Sequence, residues 1–242
     1  MPGQTRADKH KSRMIVGLAI VFAVIIVLGG VGWHFITPAS SASTNTVVTL
    51  PASSSSFDLA SSLLSGSPST LGSRNASVTI VEFGDYQCPT CGAWYHSQEA
   101  LLIQNLVDTG KAKLVWRDFD YYGPDSVSAS EAAYAAGEQG RFWQFHDLLF
   151  QSQQTPNNGW ASRQNMETFA RQLGLNMTEF DQSFNSGKYD SLINTNHSLG
   201  IQAGVTETPT FFLIGPNGKM ITIAGGQPES VFEQAVASLT SG

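Results

Sequence analysis

Val78-Thr79-Ile80-Val81-Glu82-Phe83-Gly84-Asp85-Tyr86-Gln87-Cys88-Pro89-Thr90-Cys91 reads as a strand that runs through a short turn into a helix, with two cysteines at the junction. Val78 to Phe83 alternates and is rich in β-branched residues, which predicts a strand, and Gly84-Asp85 ends it. Proline suits a first helical turn, so the helix is expected to start at Cys88 or Pro89 and to stop at Thr109-Gly110. Trp94, Leu101, Leu102, Ile103 and Leu106 supply its apolar surface.

Cys88 and Cys91 are the only cysteines in the chain. They cannot be half of a four-cysteine zinc site, and no cluster of Cys or His at ligand spacing completes one, so neither a metal nor any cofactor beyond the cysteine pair is expected. A loop closed between cysteines three positions apart constrains the unfolded chain little, which makes the pair a poor structural staple and favours a redox role over two inert buried thiols. Cys88, at the helix N-terminus, faces unpaired backbone N–H groups and the positive end of the dipole, both of which stabilise a thiolate. It is the expected nucleophile, and Cys91, one turn in, the resolving thiol. Between them, Pro89 and Thr90 tune the pair and border the substrate; Thr90 can hydrogen-bond but carries no charge.

Two further positions invite a role. Glu82 is a polar residue inside an apolar strand and, by alternation, shares a face with Ile80; a buried carboxylate there has a raised pKa and could relay the proton when Cys91 changes state. An exposed strand residue is the alternative. Thr208-Pro209 opens a later strand, where proline is ordinary. A cis bond there would leave the Thr208 backbone to pair with an extended substrate beside Cys88.

Working outward, Lys113 to Phe119 predicts a second strand, punctuated by Gly123-Pro124. From about 125 to 203 no strand pattern appears, while Ser130–Glu138, Phe142–Phe150, Met166–Leu173, Met177–Phe184 and Tyr189–Ile201 suit short helices. Pro209 to Ile214, the Gly215-Pro216-Asn217-Gly218 turn and Lys219 to Ala224 read as a hairpin. A closing helix follows Pro228.

Ahead of this domain the composition changes twice. Arg6, Lys9, Lys11 and Arg13 make residues 1–13 basic against the single acid Asp8, so the rest of the chain holds nine basic and eighteen acidic residues, a formal −9. Phosphates would be repelled by such a body, which excludes nucleic acid as a partner. Met14 to Val31 is uncharged over eighteen residues and extends to Ile36. About 20 apolar residues span a bilayer, and a basic flank before them places the N-terminus in the cytoplasm, so 14–36 is expected to be a single-pass anchor in the cell membrane with everything after it outside. A cleaved signal peptide is the alternative, since Ser40-Ser41-Ala42 offers small residues for processing, although an h-region is usually about 7–15 residues. Both readings export the remainder. Residues 37–72 are dominated by Ser, Thr, Ala and Pro and are expected to be a flexible linker, with a helical turn or two at Phe57 to Leu64 docking on a domain that spans 73–242.

Strand, C-x-x-C, helix, strand, helical block, Thr-Pro strand, hairpin and helix, in this order, resemble the DsbA-like thiol-disulfide oxidoreductases of the thioredoxin-like superfamily. The most telling blocks are Val81 to Cys91, Arg117-Asp118-Phe119, Phe142-Trp143-Gln144-Phe145-His146-Asp147-Leu148-Leu149-Phe150 and Gly204-Val205-Thr206-Glu207-Thr208-Pro209-Thr210-Phe211. The resemblance implies an α/β thioredoxin-like fold with an inserted helical subdomain, a cis Pro209 facing the disulfide and a carboxylate, Glu82, beneath it. It further implies dithiol–disulfide exchange on reduced exported proteins, most simply as an oxidase that passes electrons to a membrane partner, and a monomer. One departure bears on direction: strongly oxidising members have His where this chain has Thr90. Losing a charge-assisted contact of roughly 1–2 kcal/mol moves a potential by about 20–45 mV. A reductase or isomerase is therefore the rival, and a non-redox peptide-binding chaperone module the third reading.

His96, His146 and His197 are scattered along the chain and read as surface or packed helical residues, and Phe142, Trp143, Phe145 and Phe150 as core. Asn75, Asn176 and Asn196 sit in N-x-S/T patterns, which matter where a host glycosylates exported proteins.

Overall fold

The structure is a computed structural model that describes residues 47–50, 54–66 and 69–241. The anchor expected over 14–36, the basic segment before it and the cleavage site lie outside the described residues, and among the described ones no helix is long and apolar enough to cross a membrane. In chain order the strands are β1 Val47–Leu50, β2 Thr70–Leu71, β3 Val78–Gly84, β4 Ala112–Asp118, β5 Thr210–Ile214 and β6 Met220–Ala224. The helices are α1 Ser54–Leu64, α2 Pro89–Trp94, α3 Ala100–Leu102, α4 Pro124–Gly137, α5 Phe142–Gln151, α6 Arg163–Gln172, α7 Met177–Phe184, α8 Asp190–Gln202 and α9 Glu229–Thr240.

One mixed sheet runs β1-β6-β5-β3-β4-β2, in which only β3 and β4 pair in parallel. A parallel pair needs a crossover, and the helix carrying the cysteines supplies it. All seven residues of β3 are buried, because both faces of the sheet are covered. Val78 and Ile80 pack with Trp94, Leu102 and Leu106 of the crossover and Phe232, Val236 and Leu239 of α9. Val81 and Phe83 pack the other way, on Ala60 and Leu63 of α1 and Leu199 of α8. Gly84 sits where a Cβ would come within 2.3 Å of the Trp116 ring, so the end of β3 tolerates no side chain.

Helices α4 to α8 occupy the interval between β4 and β5 where the helical block was expected. Alanines 129, 132, 133 and 136 let aromatic side chains such as Phe145 and Phe180 close in on α4. That helix begins at Pro124, earlier than the pattern from Ser130 suggests. Gly123 (φ 97) followed by a proline at the first helical position is a helix start, not only punctuation.

The structure differs from the sequence expectation over 37–72. Val47 to Leu50 pair with Met220 to Ile223, Thr70 and Leu71 pair with Val115 and Leu114, and Ala60 and Leu63 are buried. The folded unit therefore starts well before Ser73. Arg117, 2% exposed, explains how so few apolar residues suffice. Its Nε and Nη2 donate to the Leu63 carbonyl at 3.2 and 3.0 Å, and Nη2 also donates to the Ser65 carbonyl. A buried guanidinium thus satisfies carbonyls that the end of α1 would leave unpaired. Asn196 accepts from Arg117 Nη1 at 2.6 Å and is 1% exposed, so it is an internal strut and not an accessible glycosylation site. Asn176 caps α7 through the Thr178 and Glu179 amides.

Candidate active site

Cys88 is the N-cap of α2 (φ −70, ψ 119) and Pro89 follows at the first helical position. Both cysteines are free thiols, 4% and 1% exposed, while Pro89 and Thr90 are exposed at the rim. The peptide bond Thr208-Pro209 is cis. In its protonated form Cys88 Sγ donates to the Thr208 carbonyl at 3.4 Å, across 120 positions of sequence, and Gly225 N–H donates to the Pro209 carbonyl at 2.9 Å, tying that loop to β6. Cys88, Thr90 and Thr208 line one cleft of about 260 Å³, with Tyr121, Tyr122 and Glu207 among its other walls. Glu82 does not line it. The carboxylate lies deeper on β3, 2% exposed, opposite Trp116 of β4 and Phe211 of β5.

The two thiols are driven apart electrostatically. A hydrogen bond from Cys91 pulls the Cys88 thiol down to about 6; burial opposes this, and the Thr208 side chain and the Cys91 and Thr90 backbone add to it. Cys91 moves the other way, because burial, the neighbouring Cys88 and the Glu82 carboxylate all disfavour a second negative charge. Burial also raises Glu82 well above the ordinary carboxyl range, with Glu99 contributing, and its Oε2 has no hydrogen-bond partner among the described residues. The exposed-residue alternative for Glu82 is excluded. The arrangement contains an acidic outer thiol, a reluctant inner thiol and a buried carboxyl near the inner one.

Several residues that shape the site are silent in the sequence. Gln153 Nε2 donates to the carbonyls of Tyr86 (2.7 Å) and Cys88 (3.0 Å), and the missing Cβ of Gly92 makes room for it, since a Cβ there would lie 1.9 Å from Gln153 Oε1. Asp85 accepts from the Gln87 amide at 2.7 Å and from the Tyr121 and Tyr122 amides at 2.6 and 3.0 Å, which joins the C-x-x-C turn to the cleft wall. The only available signal for Asp85 was its place beside the motif, and for Gln153 there was none. His146, read as a surface or packed helical residue, is fully buried and contacts both Tyr86 and Glu99.

The thioredoxin family profile matches residues 65–224. The Na(+)/H(+) antiporter NhaA 1 of Salinispora arenicola is 34% identical over 146 residues, 60% of this chain and 21% of the antiporter, so the chain spans about a fifth of that relative's length. The probable disulfide bond formation protein D of Bacillus cereus is 24% identical over 213 residues, covering 85% of this chain and 90% of that protein. Among solved structures, oxidised BdbD from Bacillus subtilis superposes with a TM-score of 0.65 over 73% of this chain and 94% of that one, at 22% identity, which establishes the shared fold. With a profile match over most of its folded part and this architecture around a C-x-x-C turn, the chain belongs to the thioredoxin family.

Proposed function

We propose that this protein is an extracytoplasmic thiol-disulfide oxidoreductase that introduces disulfides into exported proteins. The observation that carries the reading is the opposed acidity of its two thiols, with Cys88 drawn down to about 6 and Cys91 pushed up. In the oxidising direction a substrate thiolate attacks Cys88 Sγ of the Cys88–Cys91 disulfide, and Cys91 leaves. The substrate's second thiolate then attacks the mixed disulfide, forming the substrate disulfide and releasing Cys88 as a stabilised thiolate. Two electrons have passed to the enzyme, and the two substrate thiols gave up their protons to solvent on becoming thiolates. Glu82 gives a proton to Cys91 as it leaves and recovers it when a membrane electron acceptor reoxidises the pair. Pro89, Thr90, Thr208 and Pro209 hold the substrate chain across the cleft. The uncharged run over 14–36 anchors the protein in the cell membrane with its domain, a monomer, on the extracytoplasmic side near that acceptor. The names of relatives such as disulfide bond formation protein D support the direction.

Thr90 favours a second reading, a reductase or isomerase, because it supplies no positive charge beside Cys88. Equilibration of the full chain with glutathione separates them. A potential near about −120 mV supports the oxidase, and one near about −270 mV refutes it. Replacing Cys88 by Ser abolishes exchange under either redox reading and leaves a peptide-binding module unaffected.

A further inference from the structure

Away from the cleft, three potential metal ligands converge beside the π turn Tyr95–Glu99. Glu99 and His146 are 2% and 0% exposed, Asp147 is half-buried, and one ligand atom from each lies within 4.8 Å of the other two. The His146 ring is held among Tyr86, Tyr95, Trp116, Trp143 and Phe150, with centroids 4.9–6.1 Å away. Its Nδ1 lies 3.2 Å from the Tyr86 hydroxyl. Nε2 lies 3.3 Å from Glu99 Oε1, yet the two are not aligned as a hydrogen bond, and neither has any other hydrogen-bond partner among the described residues.

A buried imidazole nitrogen and a buried carboxylate oxygen at this distance need positive charge between them, either a proton or a metal ion. Bonds of about 2.0–2.1 Å on a tetrahedral ion put neighbouring ligand atoms about 3.3–3.4 Å apart, which matches the His146 Nε2–Glu99 Oε1 pair, while Asp147 would close in from within 4.8 Å. In the tautomer in which Nδ1–H donates to the Tyr86 hydroxyl, the Nε2 lone pair faces Glu99 and the Tyr86 bond is the outer contact that a ligating histidine requires. A second cleft, of about 440 Å³, opens on Glu99 and Asp147 and provides both an access route and room for a bound water. We propose that Glu99, His146 and Asp147 form a binding site for a divalent transition ion of the zinc class, four-coordinate with an exchangeable fourth ligand. An imidazole among so few oxygens suits zinc better than calcium or magnesium, which favour six or more oxygens or several retained waters. The site does not depend on the thiol chemistry, since neither cysteine is a ligand.

The test uses the detergent-solubilised full chain with Cys88 and Cys91 both replaced by Ser, so that the dithiol cannot capture the ion. Calorimetric titration with Zn²⁺ is expected to show one stoichiometric site, and Co²⁺ to give the visible bands of a tetrahedral centre. His146→Gln and Asp147→Asn should each weaken binding by about tenfold or more, and Tyr86→Phe by about 10–100-fold. Asp147→Asn, at the half-buried ligand, keeps the test informative if His146→Gln fails to fold. Absence of a stoichiometric site, or an affinity for Zn²⁺ unchanged in Asp147→Asn, overturns the proposal and leaves a shared proton as the positive charge between Glu99 and His146.

Discussion

Replacing Cys91 by Ala removes the largest influence that draws Cys88 down to about 6. A hydrogen bond to a charged acceptor is worth about 1.5–3 kcal/mol net, and a weak S–H donor belongs at the lower end. Loss of about 1.5 kcal/mol is close to a tenfold change in acidity, so Cys88 in Cys91→Ala should titrate near about 7. Thiolate at pH 6 then falls from about half to about a tenth, and iodoacetamide alkylation at that pH slows about fivefold, with no change near pH 9 where both forms are ionised. Cys91→Ser, which keeps a donor, should stay close to the parent. The sign for stability follows from the same shift. A depressed thiol pKa stabilises the reduced folded state fully above the ordinary thiol value, and this is lost as pH falls through about 6. At pH 7 a thiolate of pKa about 6 favours the reduced protein about elevenfold over an ordinary thiol, which is about 1.4 kcal/mol or about 30 mV. Following absorbance at 240 nm against pH in the two variants decides the matter. Equal titration of Cys91→Ala and the parent refutes the idea that the inner thiol sets the acidity of the outer one.

Glu82 binds its proton more tightly folded than unfolded, so its contribution to stability falls as pH rises above the ordinary carboxyl value; Glu82→Gln should gain about 1–3 kcal/mol near pH 8 and little near pH 4 in urea unfolding, while slowing exchange by about tenfold or more. Arg117→Met leaves the Leu63 and Ser65 carbonyls and Asn196 without their donor and should cost about 3–5 kcal/mol, with new proteolytic cuts inside Ser54–Leu64 before the core unfolds. Protection of that helix equal to the parent's would show that Arg117 does not hold it. Gly92→Ala drives a Cβ into Gln153 and should cost about 1–3 kcal/mol in thermal unfolding, but little when made in a Gln153→Ala background, where the clash has already been removed.

At residues 47–50 and 54–66, composition and fold point in different directions. Serine-rich, low-complexity sequence offers little to bury, and by itself it describes a spacer. It became part of the sheet and its cover because β6 presented an edge to Val47–Leu50 and Arg117 presented donors to the end of α1. Neither partner is near in sequence. Glu99 illustrates the same limit inside a helix. Eight residues beyond Cys91, a regular α-helix would carry it about 80° off the cysteine line, and the π turn Tyr95–Glu99, with one residue more in the turn, brings it back toward the interior.

From Val78 onward the amino-acid sequence determined the order of strands and helices, the position of Cys88 at a helix start and the deviant polarity of Glu82, because periodicity, proline placement and one polar residue in an apolar run are local signals. Only the tertiary structure decided what those residues do to one another. Thr208 reaches Cys88 across 120 positions, Gln153 braces the C-x-x-C turn, and Glu99 meets His146 at 3.3 Å. Acidity, proton transfer and metal affinity depend on distance in space and on exclusion of water, and chain order specifies neither until the sheet and its helices have closed around the site.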